Sequence, residues 1–214
     1  MIELTEINRA EALRYMGGSK VEMNESMEAL LNSCEKDIIK AASPKYLYKK
    51  IPLENSGLLI GNTINEHLKD CREAVLMCAT IGAGVDKLIR SASVTDMAKA
   101  VVIDAFASAA VEQVCEKTEE LIKQEIPDKY FTWRFSPGYS DYPIELQEKF
   151  LSILDAPRKI GLCANESSLL TPTKSVTAII GVSDKPIEKK RRGCAGCNLR
   201  ESCQYRKSGE RCEF

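Results

Sequence analysis

Apolar residues recur at helical spacing early in the chain: Met27, Leu30, Leu31, Cys34 and Ile38 share one face of a helix that Pro44 ends. An earlier helical pattern runs from Thr5 and Glu6 to the Gly17-Gly18 pair. Residues Tyr46 to Pro52 read as extended, and Pro52, which cannot donate to a ladder, suits the edge of a sheet. Asn62 to Leu68 predicts a short helix. Glu73 to Ile81 is a compact apolar run that reads as a buried strand closed by Gly82-Ala83-Gly84. A strand, glycines and a following helix resemble a phosphate cradle, but without a full G-x-G-x-x-G or a Lys-Ser/Thr pair a turn is the preferred reading.

The longest helix is expected from Thr95 to about Glu125, stopped by Pro127. Its middle is small (Ala105, Ala107, Ser108, Ala109, Ala110), which permits close backbone approach, while Lys117, Glu120 and Lys123 take the wet side. Strands are expected at Tyr130 to Phe135 and Ser175 to Val182, with a helix from Ile144 to Leu154. The elements do not alternate regularly. The fold class is therefore α+β: a mixed or antiparallel sheet packed with a long central helix and flanking helices, plus a small Cys-rich C-terminal module.

Charge divides the chain in two. From Lys185 to Phe214 nine Lys/Arg face four Glu, a net of +5, which leaves −6 on residues 1 to 184 of the total −1. Residues 1–184 are read as the main domain and 185–214 as a basic tail, joined through Ser183-Asp184-Lys185-Pro186. With 44% hydrophobic and 29% charged residues in 214, and no apolar run near the ~20 residues a bilayer requires, a cytoplasmic globular protein is expected.

The nine cysteines follow the same division. Cys34, Cys71, Cys78, Cys115 and Cys163 are dispersed and read as small buried hydrophobes. The other four form Cys194-x2-Cys197-x5-Cys203-x8-Cys212. Thiolates so close together bind zinc or an iron-sulfur cluster, since both accept four soft sulfur ligands. One Cys-x2-Cys knuckle and two widely spaced single cysteines favour a 4Fe-4S cluster over zinc. Lys189-Lys190-Arg191-Arg192 would offset the thiolate charge or dock an acidic partner, and lacks the interleaved aromatics of a nucleic-acid binder.

Residues 134 to 143, Arg-Phe-Ser-Pro-Gly-Tyr-Ser-Asp-Tyr-Pro, carry the most chemistry. A guanidinium ahead of a Pro-Gly turn can hold a carboxylate bidentately, and glycine lets backbone approach a ligand. This stretch resembles the S-adenosylmethionine-binding segment of the cobalamin-dependent methionine synthase activation domain. The resemblance continues through Asp104 to Glu116, Glu145 to Asp155, and Glu166-Ser167 to Ser175-Val176, and suits a stand-alone form of that domain. The usual Tyr-Pro-Ala-Cys-Pro is here Tyr139-Ser140-Asp141-Tyr142-Pro143.

The resemblance implies that Arg134 contacts the carboxylate of S-adenosylmethionine, that Glu112 faces the ligand, and that Ser136, Gly138 and Tyr139 close the turn around it. It implies a protein that helps remethylate cob(II)alamin presented by a partner, either a cobalamin-dependent methionine synthase or another corrinoid protein, with the tail delivering the electron. His67, the one histidine, lacks the Asp-x-His-x-x-Gly context of a cobalt ligand and is expected on a helix surface. From the residues alone other readings stay open: an internal ion pair for Arg134, a packed Tyr139, a solvent-facing Glu112, and a zinc-binding interaction protein with no redox role.

Overall fold

The computed structural model describes residues 2–17, 21 and 23–187. In chain order the elements are α1 (Arg9–Tyr15), α2 (Glu25–Ala41), β1 (Lys45–Pro52), α3 (Asn62–His67), β2 (Glu73–Thr80), α4 (Ala83–Thr95), α5 (Met97–Glu125), β3 (Tyr130–Phe131), α6 (Leu146–Leu154), α7 (Ala156–Ile160), β4 (Cys163–Ala164), β5 (Leu170–Thr171) and β6 (Ser175–Ser183). The tail cysteines Cys194, Cys197, Cys203 and Cys212 lie outside the described residues.

The main sheet runs β1-β2-β6-β3 with every pairing antiparallel, which settles the open choice between a mixed and an antiparallel sheet. β1 is an edge strand, as Pro52 required. The short β4 and β5 form a separate antiparallel ladder that the sequence pattern did not reveal.

Both faces of β2 are covered, and its side chains alternate accordingly. Val75, Met77 and Ala79 join an apolar layer with α2, α4 and α5; Ala74, Leu76 and Cys78 join a second layer with α3, α6 and α7. The continuous apolar run is therefore two interleaved faces. β6 does the same, sending Ala178, Ile180 and Val182 to the first layer and Ile179 to the second.

Helix α5 packs against α1, α2 and α4 as well as against β2. Ala105, Ala107, Ala109 and Ala110 are buried, so the small middle of this helix serves contacts on several sides. Asp96 caps it, accepting the Lys99 backbone N–H at 3.0 Å.

The glycines after β2 have a packing role. Gly82, at φ +88, precedes α4, and a Cβ on Gly84 would stand 2.4 Å from the Ala41 carbonyl oxygen. Gly84 thus lets α4 press against the end of α2. Gly82 makes the turn out of β2, and Ala83 and Gly84 already belong to α4.

The expected strand from Tyr130 to Phe135 is also modified. Only Tyr130–Phe131 forms a ladder with β6; Thr132 donates its N–H to the Gly181 carbonyl, and Phe135 makes an isolated bridge to Ile179. Between those two attachments the chain leaves the ladder at Trp133 and Arg134, and there the candidate site begins.

Candidate functional site

Arg134 reaches from the sheet margin onto α5. Its Nη2 lies 3.0 Å from Glu112 Oε2 and its Nε lies 2.5 Å from Glu119 Oε1. Glu112 and Glu119 are seven residues apart, two helical turns, and so project from one face of α5. The Arg134 side chain is only 14% exposed. Burial works against its charge, but Cys115, Glu112 and Glu119 outweigh burial and hold its pKa above the ordinary value. Glu116, one turn from Glu112, titrates above the usual carboxylate range because of burial, with Arg134 opposing.

The structure brings Arg134 and Glu112 together, as an ion pair. The internal ion pair for Arg134, one of the readings left open by the residues, is present. Glu119 was not singled out by sequence reasoning. Its position seven residues after Glu112 on the same expected helix was the available signal.

Ser136, Gly138 and Tyr139 form the turn that follows. Gly138 adopts φ +91, a left-handed conformation that favours glycine. Its N–H donates to the Tyr142 carbonyl at 2.8 Å, and the Tyr139 N–H donates to the Ser136 carbonyl at 3.3 Å. These amides are committed within the loop. Tyr139 is 67% exposed and stands with its ring centroid 6.4 Å from that of Phe135. It is a rim residue.

The loop is fastened to α3 by the residues at which it departs from the familiar motif. Asp141 accepts the backbone N–H of Asn62 at 2.6 Å and of Thr63 at 3.1 Å, and Ser140 Oγ meets Thr63 Oγ1 at 3.0 Å. Tyr142 is buried between Phe135 and Phe150, and its hydroxyl finds no partner among the described residues. Burial pushes the Tyr142 hydroxyl pKa far up.

His67 departs from its expected wet helix surface. It is half-buried, with its ring centroid 4.7 Å from Trp133 and 5.1 Å from Phe135 and its Nε2 3.0 Å from the Trp133 carbonyl. It ties α3 to the segment carrying Arg134, a structural role.

Two further groups border the site. Lys174, just before β6, lies 2.8 Å from Asp104 Oδ1 and donates to Ser108 Oγ at 2.9 Å. Asp104, Ser108 and Glu112 follow one another at helical spacing, so a single face of α5 carries two bound cations, Lys174 and Arg134. Tyr15, at the end of α1, titrates above its ordinary value through burial and through the charge of Glu112. Nothing in the α1 pattern marked it.

Among the described residues no three His, Cys, Asp or Glu side chains gather as a metal site. No helix among them is long and apolar enough to cross a membrane.

No known protein family matches this sequence, and no curated protein matches it. The fold is similar to a solved structure, the crystal structure of the MetH reactivation domain bound to AdoHcy. The TM-score is 0.61 at 14% identity, covering 82% of this chain and 73% of that one. The likeness is one of fold: an α+β architecture with an antiparallel sheet and a long central helix.

Proposed function

We propose that this chain is a reactivation component for a cobalamin-dependent methionine synthase, binding S-adenosylmethionine as methyl donor for a cobalamin that the partner presents. The observation that carries this reading is the Arg134–Glu112 pair at the head of the Ser136–Tyr139 turn, on a fold like that of the MetH reactivation domain. A guanidinium beside a carboxylate is complementary to the zwitterionic end of an amino acid, whose carboxylate seeks Arg134 and whose ammonium seeks Glu112. Gly138 adds no side chain to the turn, and exposed Tyr139 flanks it. The chain's contribution is positioning, since placing methyl donor and acceptor together lowers the entropic cost of their meeting.

The finer reading adds the tail. Cys194, Cys197, Cys203 and Cys212 would ligate one metal centre, and a 4Fe-4S cluster there would let the chain deliver the electron that cob(II)alamin needs before methyl transfer. Spacing alone supports this part.

Calorimetric titration with S-adenosylmethionine tests the core of the proposal. Wild type should bind, and Arg134→Ala should bind about 10- to 150-fold more weakly, the effect of losing a charge-assisted contact of about 1.5 to 3 kcal/mol. Equal affinities would remove the assignment of Arg134. A companion assay follows remethylation of cob(II)alamin on a methionine synthase that lacks its own reactivation domain; no stimulation by this chain would remove the partner.

A further inference from the structure

We infer that Glu119 is a positioning residue for the Arg134 guanidinium, and that Glu112 is the partner a ligand carboxylate displaces. The inference rests on the reading that the site binds S-adenosylmethionine. It concerns a residue to which that reading assigns no role.

Among the described residues Arg134 has two acidic partners, and they are not equivalent. Glu119 takes Nε, the nitrogen nearest the arginine stem, at 2.5 Å, and its side chain is 18% exposed. Glu112 takes the terminal Nη2 at 3.0 Å, and its side chain is 36% exposed. The Nε–H bond lies in the plane of the guanidinium, so a short contact to it orients that plane while leaving the outer edge free for a ligand. A contact at Nη2 occupies part of that outer edge. Glu119 also stands 3.8 Å from Lys123 Nζ, a second cation beside it.

Charge decides what happens on binding. Among the described residues the guanidinium already faces two carboxylates, and Glu116 lies close enough to feel all three. A third carboxylate on Arg134 would add repulsion in a site that is mostly sheltered from water, where charges are poorly screened. One acid must give way, and it is the more exposed Glu112. Released from Nη2, Glu112 stays within a side chain's reach and is available to the ligand ammonium. Glu119 remains on Nε and holds the fork in the orientation that accepts a carboxylate.

The Arg134 backbone is held on both sides by bonds to β6: Thr132 N–H to the Gly181 carbonyl at 3.1 Å and Phe135 N–H to the Ile179 carbonyl at 3.0 Å. The remaining freedom lies in the side-chain torsions, and Glu119 removes it.

The test compares S-adenosylmethionine with its decarboxylated analogue, which keeps the sulfonium and the ammonium but lacks the carboxylate. Wild type should prefer the intact molecule by about tenfold or more, the scale of one charge-assisted contact. In Glu119→Gln the preference should collapse toward that of Arg134→Lys, while affinity for the analogue stays within about twofold, and the double variant should show no further loss, as expected for residues acting in one unit. A preference unchanged in Glu119→Gln, or an equal loss for both ligands, overturns the inference while leaving the binding reading intact. If wild type binds neither molecule, the binding reading fails and the inference with it. A second measurement is independent of affinity: the Arg134 Nε–H resonance should be protected from exchange in wild type, with and without ligand, and lose protection in Glu119→Gln and partly in Glu119→Asp. Equal protection in all three proteins also overturns the inference.

Discussion

The Asp141 carboxylate accepts the backbone N–H of Thr63 at 3.1 Å, joining residues 78 positions apart and fastening the loop beyond Arg134 to the start of α3. Asp141 thereby does for α3 what a helix-capping side chain does locally, from a distant part of the chain. Hydrogen bonds from Thr63 and Asn62 hold its pKa below the ordinary carboxylate value.

The sign of the pH dependence follows. A carboxylate whose pKa is depressed by folding contributes stability above its unfolded pKa and loses that contribution as pH falls through the folded value. Hydrogen exchange at the Asn62 and Thr63 amides should therefore quicken, beyond its intrinsic pH trend, as the medium is acidified below the ordinary Asp range. Asp141→Asn should show that faster exchange already at neutral pH. Amides that exchange identically in both proteins would dismiss Asp141 as the anchor.

Gly84→Ala should destabilise the protein by about 1 to 3 kcal/mol, the range for forcing extra volume into a packed contact. The new Cβ would lie 2.4 Å from the Ala41 carbonyl oxygen, and backbone cannot step aside as a flexible side chain does. Urea denaturation reads the change directly. A midpoint equal to wild type would mean that α2 and α4 can separate at little cost.

Thiol chemistry should follow burial. Burial pushes Cys78 and Cys115 up to about 12, so neither offers thiolate near neutral pH, whereas Cys163 is exposed. Iodoacetamide treatment at pH 8 followed by peptide mapping should label Cys163 and spare Cys78 and Cys115 until the protein is unfolded. Labelling of Cys115 in the folded protein would show that the surroundings of Arg134 open to solvent.

The four tail cysteines should act as one unit. Cys197→Ser should abolish the metal content of anaerobically purified protein, and Cys163→Ser should leave it unchanged, because four soft ligands must act together. Iron with sulfide supports the electron-delivery reading; one zinc per chain removes that role and keeps the site. Metal unchanged in Cys197→Ser would disprove the ligand set.

Much of the fold was legible because its elements are locally encoded. The helical stripe of α2, the apolar run of β2, Pro52 at the edge and the small-residue middle of α5 each state a relation between a residue and its near neighbours in sequence. The turn at Gly138 was legible for the same reason. Period and turn chemistry are properties of consecutive residues, and the chain carries them wherever it goes.

The meetings between distant segments were settled by folding, not by local pattern. Whether β2 and β6 pair antiparallel depends on the path of everything between them, and no local pattern records it. The same holds for Asp141 on α3, for His67 between Trp133 and Phe135, and for Gly84 against Ala41. Arg134 shows the division most clearly. Its sequence position marked it as a carboxylate binder, but the identity of the carboxylates, Glu112 and Glu119, came from α5 passing beside the sheet margin. A charge on a one-dimensional chain has a sign and a reach; only folding gives it a partner, because Coulomb attraction depends on distance through space.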